Sequence, residues 1–191
     1  MSQQIENNSP ITIQANVANN NGNIYFNKPT RWSKKFQKLS QEIASDERFG
    51  QILDDLKYYR TKLDGIDMPT KLTDGGFNEQ AIIKAKRQKE KYAKKAEKFK
   101  FFESAQWIDS QLFALLKDRF ETYLVPHINN GDSHDIIMRT LSEEVIHPVL
   151  DKLDTEGEDD EYLNYDVEDL YGMVYFLTGQ CHLNWKDYGD I

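Results

Sequence analysis

No proline or glycine falls between Phe77 and Val125. The pattern across that stretch is helical, and it predicts one long helix from near Asn78 to about Tyr123. Roughly 46 residues at 1.5 Å each would span about 70 Å. The first half is lysine-rich and the second apolar, which leaves room for a bend near residues 98–103. Phe99, Phe101, Phe102, Trp107, Phe113 and Phe120 lie there beside Leu112, Leu115 and Leu116. More than one face is therefore apolar, so the helix belongs at the centre of a bundle or under a partner.

Shorter helical patterns flank it. Trp32, Phe36, Leu39 and Ile43 form one stripe from Arg31 onward. Ser45 or Asp46 is read as the cap of a second helix whose stripe is Phe49, Ile52, Leu53, Leu56, Tyr59 and Leu63. Asp64-Gly65, Pro69 and Asp74-Gly75-Gly76 mark a loop of about a dozen residues. Pro126 through Gly131 reads as a turn, and Asp132 or Ser133 as the next cap. Ile136, Ile137, Leu141, Val145, Ile146, Val149, Leu150 and Leu153 then face inward, with a kink expected at Pro148. Residues 154–160 read as an acidic linker. A last helix over residues 166–178 ends at Gly179, a suitable C′ residue. Beyond it the chain is expected to fold back and bring Trp185 into the core, against Tyr175 or Phe176. No internal repeat or sustained heptad is present.

Residues 1–30 have a different composition. Ile11–Val17 and Asn23–Asn27 favour strands around an Asn-rich turn, which predicts a β-hairpin. A lone hairpin is marginal in water. The expected fold is therefore mainly α, a multi-helix bundle with one long helix plus a small N-terminal β-hairpin. Residues 1–30 form an oligomerisation segment and 31–191 a helical interaction domain. Ile11, Ile13, Ile24, Tyr25 and Phe26 are candidate partner contacts, together with Tyr171 and Trp185 of the closing segment.

At 191 residues the chain suits one medium domain. Its net charge of −8 is unevenly spread. Residues 31–100 hold 18 Lys/Arg against 11 Asp/Glu, whereas residues 101–191 hold 5 against 20, so the halves can attract each other or present opposite faces to partners. One cysteine, Cys181, argues for a reducing compartment. No apolar run is long enough to span a membrane, and the polar N-terminus is unlike a signal peptide. The expectation is a cytoplasmic protein.

Residues 84–100 carry nine bases and two acids. Lys84, Arg87, Lys91 and Lys95 mark a face that could track phosphates, the alternative reading being a nucleic-acid-binding helical module. The competing explanation is a solvated face, or one neutralised by the acidic half. His127, His134, His147 and His182 match no zinc spacing. A small metal-dependent hydrolase is the weakest reading. Glu156–Glu161 lacks the alternating ligands of a calcium loop. Cys181-His182 are adjacent, an arrangement that seldom makes a nucleophile–base pair. No phosphate-binding glycine loop or HExxH is present. No catalytic residue, metal ligand or cofactor is assigned.

Four blocks recur in a familiar order: Tyr58-Tyr59-Arg60-Thr61-Lys62-Leu63-Asp64-Gly65, Lys71-Leu72-Thr73-Asp74-Gly75-Gly76, Phe102-Glu103-Ser104-Ala105-Gln106, and Tyr171 through Trp185. Over about residues 50–187 the chain resembles the helical C-terminal domains of bacterial ABC three-component conflict systems. The resemblance implies a non-catalytic protein-interaction subunit that couples an effector to an ABC-type ATPase and a small middle component in antiviral defence. It implies protein partners and no cofactor; the unpaired edges of the expected hairpin point to a homo-oligomer through the N-terminal segment, or to pairing with an effector subunit. Effector modules often precede such domains; here the Asn-rich segment stands in that place, which implies a free-standing coupling subunit, or one that uses its N-terminal hairpin to pair with another chain.

Overall fold

Among the described residues, four helix ends close with the same turn. In each, one residue adopts positive φ and the next donates its N–H back five residues: Asp46 (φ 49), Gly76 (φ 83), Gly131 (φ 69) and Cys181 (φ 69). The bonds are Glu47 to Glu42, Phe77 to Leu72, Asp132 to His127 and His182 to Leu177, all between 2.8 and 3.0 Å. These bonds satisfy the last carbonyls of each helix and turn the chain sharply. Two of the four positive-φ residues are not glycine, so contacts of the surrounding chain must hold them there.

A computed structural model describes residues 28–158 and 160–187. Among them it is mainly helical, with no strand. The helices are α1 (Arg31–Ala44), α2 (Asp54–Arg60), α3 (Met68–Asp74), α4 (Glu79–Phe99), α5 (Glu103–Arg119), α6 (Val125–Asn129), α7 (His134–Thr140), α8 (His147–Glu156) and α9 (Val167–Gly179). A wide π-helical turn joins α5 to α6 over Phe120–Leu124, and another joins α7 to α8 over Leu141–Ile146. The expected hairpin, with Ile11, Ile13, Ile24, Tyr25 and Phe26, lies outside the described residues.

The single long helix is corrected to two. α4 stops at Phe99, and α5 starts at Glu103. Gln106 secures the break: its amide donates to the carbonyls of Lys100 (2.6 Å) and Gln51 (2.8 Å), and its oxygen accepts the N–H of Leu53 (2.7 Å). Glu42 of α1 caps the new N-terminus, accepting from the Ser104 N–H (3.0 Å) and hydroxyl (2.8 Å). The same contacts shorten the second helix. Residues 46–53 lie along the break instead of coiling, and the Phe49 N–H donates to the Phe101 carbonyl at 2.6 Å. Ser45 and Asp46 end α1 rather than start α2.

The expected turn at Pro126 is also corrected, because helix continues through it to Asn129. A proline lacks an N–H, and its ring clashes with the carbonyl four residues back. Each π turn ends just before a proline, Pro126 or Pro148, and widens the coil there. Near Pro148, the Glu144 carbonyl that loses its helical donor accepts instead from the Arg119 guanidinium. Ile136, expected inside, is exposed. The segment around residue 160 is no free linker: α8 runs through Glu156, and the Asp160 carboxylate accepts the N–H groups of Tyr162, Leu163 and Asn164.

α5 and α9 are buried on most of their circumference, and Phe113 of one stacks on Phe176 of the other at 5.5 Å. α4 and α9 form the most extensive helix pair. Gly172 permits that approach, since a Cβ there would stand 2.4 Å from the Gln88 carbonyl oxygen. Trp185, offered both as core and as partner contact, is core: 2% exposed, in edge contact with Phe77 and Phe120, with its indole N–H donating to Thr178 at 3.0 Å. Trp185→Ala should cost about 3–5 kcal/mol, as large buried truncations do. Urea unfolding checks this; an unchanged midpoint would show the ring contributes nothing to the fold.

Candidate functional site

Three of the four blocks that carry the family resemblance, residues 58–65, 71–76 and 171–185, meet around the turn after α9. Lys71 is fully buried, and its ammonium lies 2.8 Å from Asp64 and 2.5 Å from the Asn184 side-chain oxygen. The Cys181 thiol donates to Asp64 at 2.6 Å. Leu63 N–H donates to the Gln180 carbonyl, and His182 Nε2 to that of Tyr58. Burial raises the Asp64 carboxyl, but hydrogen bonds from Cys181, Lys71 and the Ile66 N–H outweigh it and hold it at about 2. Burial and the bond to Asp64 push the Cys181 thiol up. A protonated thiol used as a donor is a poor nucleophile, and burial pushes the neighbouring His182 down.

The other histidines are dispersed. His127 pairs with Asp132 at 2.6 Å, His134 sets its ring edge to Phe77, and His147 is exposed. Among the described residues no three His, Cys, Asp or Glu side chains converge to hold a metal ion. No described helix is long and apolar enough to cross a membrane.

A second buried polar group sits at the centre. The Asp109 carboxylate accepts the hydroxyls of Tyr165 (2.5 Å) and Tyr92 (3.1 Å). Burial raises its carboxyl to about 6, against the lowering effect of the two tyrosines, Arg60 and Lys95.

α4 presents lysines to two sides. On one side, Lys84 reaches Glu168 (4.0 Å) and Lys91 reaches Asp166 (2.6 Å). Lys95 pairs with buried Asp169. Three of the four proposed nucleic-acid contacts thus face the acidic first turn of α9, where Asp166 and Asp169 form a reciprocal capping box. The fourth, Arg87, is exposed. On the other side, Lys86 and Lys89 join Lys62 around a groove of about 500 Å³ floored by Met68, Pro69 and Ala93. The sequence pattern concealed this division because all the bases fall in one run. Tyr171, also offered as a partner contact, is half-buried and stacks on Tyr175 at 6.5 Å.

The family model for C-terminal domain 9 of the ABC-three component (ABC-3C) systems matches residues 67–185. The chain belongs to that family. Its role therefore lies within an ABC-3C system. No curated protein and no solved structure matches it. The matched residues of the ABC-3C domain begin at the cap of α3 and end at Trp185.

Asp109 gives a signed pH prediction. Its folded carboxyl lies above the ordinary value of 3.8, so its contribution is present below that pH and lost as pH rises through about 6. Asp109→Asn should therefore gain on the wild type as pH rises from ~4 to ~7. Urea midpoints across that range check it, and a constant difference would remove Asp109 as the source.

Proposed function

We propose that this chain is a non-catalytic coupling subunit of an ABC-3C defence system, linking an ABC-type ATPase to an effector through protein–protein contact. Membership of the ABC-3C domain family carries the reading. It is supported by the use of the signature side chains: Asp64, Lys71, Cys181, His182 and Trp185 are engaged in internal contacts rather than aimed at a substrate cleft. The Lys84, Lys91 and Lys95 pairs with α9 favour protein contact over phosphate tracking, since charges neutralised within the fold release no counterions.

Tagged chain co-expressed with the ABC-type ATPase and middle component of its own system should retain both through gel filtration. Elution alone would overturn the coupling reading. Purified chain should turn over no nucleic acid, nucleotide or peptide with Mg²⁺, Mn²⁺ or Zn²⁺. Turnover lost in His127→Ala, His134→Ala or His182→Ala would overturn the non-catalytic one.

A further inference from the structure

The groove between α3, α4 and the end of α9 holds three lysines whose charge the fold matches only in part. Among the described residues, Lys84, Lys91, Lys94 and Lys95 of α4 each lie within ion-pair distance of a carboxylate. Lys62, Lys86 and Lys89 have no carboxylate within that distance, although Asp67 and Glu90 line the same groove. Glu90 is engaged elsewhere, and Asp67 is a single longer-range counter-charge for all three lysines. Asp67 caps α3 by accepting the Thr70 N–H at 2.9 Å, and Glu90 pairs with Lys94 at 2.7 Å. The Lys89 side chain is packed so closely on the last turn of α9 that a Cβ on Gly179 would stand 2.5 Å from its ammonium. Burial and the nearby Lys62 charge hold that ammonium below the ordinary lysine range. An anion placed between these lysines would relieve their repulsion.

The floor supplies the second half of the specificity. Met68 is buried and, with Pro69 and Ala93, makes an apolar base between the charged side chains. Its volume is in the range that receives a few side chains. Nucleic acid fits this surface poorly. Lys84, Lys91 and Lys95 are turned toward α9 and do not extend the groove into a phosphate track, and residues 101–191, with 20 acids to 5 bases, repel a polyanion.

We propose that this groove docks an acidic peptide segment of a partner protein, which lays an apolar side chain on Met68, Pro69 and Ala93 and sets carboxylates among Lys62, Lys86 and Lys89. The inference rests on the coupling reading and specifies where and by what chemistry one partner is held. Charge complementarity at such a rim sets partner choice and capture rate as well as affinity.

The test uses the full chain and three fluorescein-labelled probes: a short peptide of alternating Glu and Leu, its Lys/Leu counterpart, and a single-stranded DNA of equal length. Anisotropy should show binding of the Glu/Leu peptide alone. Lys62→Glu combined with Lys86→Glu, both at exposed positions, should weaken it by at least ~10-fold, a difference of about 1.4 kcal/mol. Exposed Lys98→Glu, outside the groove, should leave it unchanged. The proposal is overturned if the Glu/Leu peptide does not bind, if the Lys/Leu peptide binds equally, or if the double variant binds as the wild type does. DNA held more tightly than the peptide and released by the same variant would make the groove a nucleic-acid site, and would also overturn it. Co-elution with the ATPase without peptide binding sinks the groove alone. Peptide binding without co-elution sinks the coupling reading alone.

Discussion

Reversal of the chain after α9 is the constraint on which the rest of the packing depends. Cys181 takes a left-handed conformation that a glycine would adopt more cheaply. The thiol bond to Asp64 and the His182 bond to the Tyr58 carbonyl tie that turn to α2 and to the loop that leads into α3. The turn then delivers Asn184 to buried Lys71 and Trp185 to the core. Gly75 is needed at the receiving end, because a Cβ there would lie 2.5 Å from the Trp185 Cβ. Removing the turn would take away an acceptor from a fully buried ammonium as well as a large aromatic contact, and breaking a buried charge cluster costs more than the pair contributes.

Helices governed by their own periodicity were legible in the sequence. The α1 stripe, the Asn78 cap of α4, and the Asp166 start of α9 all follow local rules. Elements governed by distant partners were not. The change from lysine-rich to apolar sequence placed a bend near residues 98–103, where the break between α4 and α5 falls, but not a full stop: the break has no proline or glycine and exists because Gln106 satisfies the Lys100 carbonyl and Glu42, from another helix, caps Ser104. α3 was hidden for a different reason. Pro69 reads as loop punctuation, although a proline in the first turn behind a capping aspartate, here Asp67, also begins a helix. Pro126 is misleading as a turn signal because a π turn carries the helix past it.

The candidate groove was illegible for a reason of geometry. A run of bases in sequence becomes two faces when coiled, about 100° apart per residue. One face meets the acids at the start of α9, which uses part of the charge asymmetry between the halves internally. The other face meets Lys62, more than twenty residues away in the chain, and no local pattern signals that meeting.

The same division separates what the family signature reports from what it leaves to function. Most of its side chains are consumed in folding: Lys71 and Asp64 in one buried pair, Gln106 at a helix break, Trp185 in the core. A match to such residues reports architecture first. Tyr58, Lys62 and Leu63 are different, because they belong to the first block and yet are exposed. Tyr58 keeps its ring against Tyr59 and His182, so even there part of the block is held by packing. Lys62 precedes the matched residues 67–185 and stands on the rim of the groove, where the proposed acidic segment would lie.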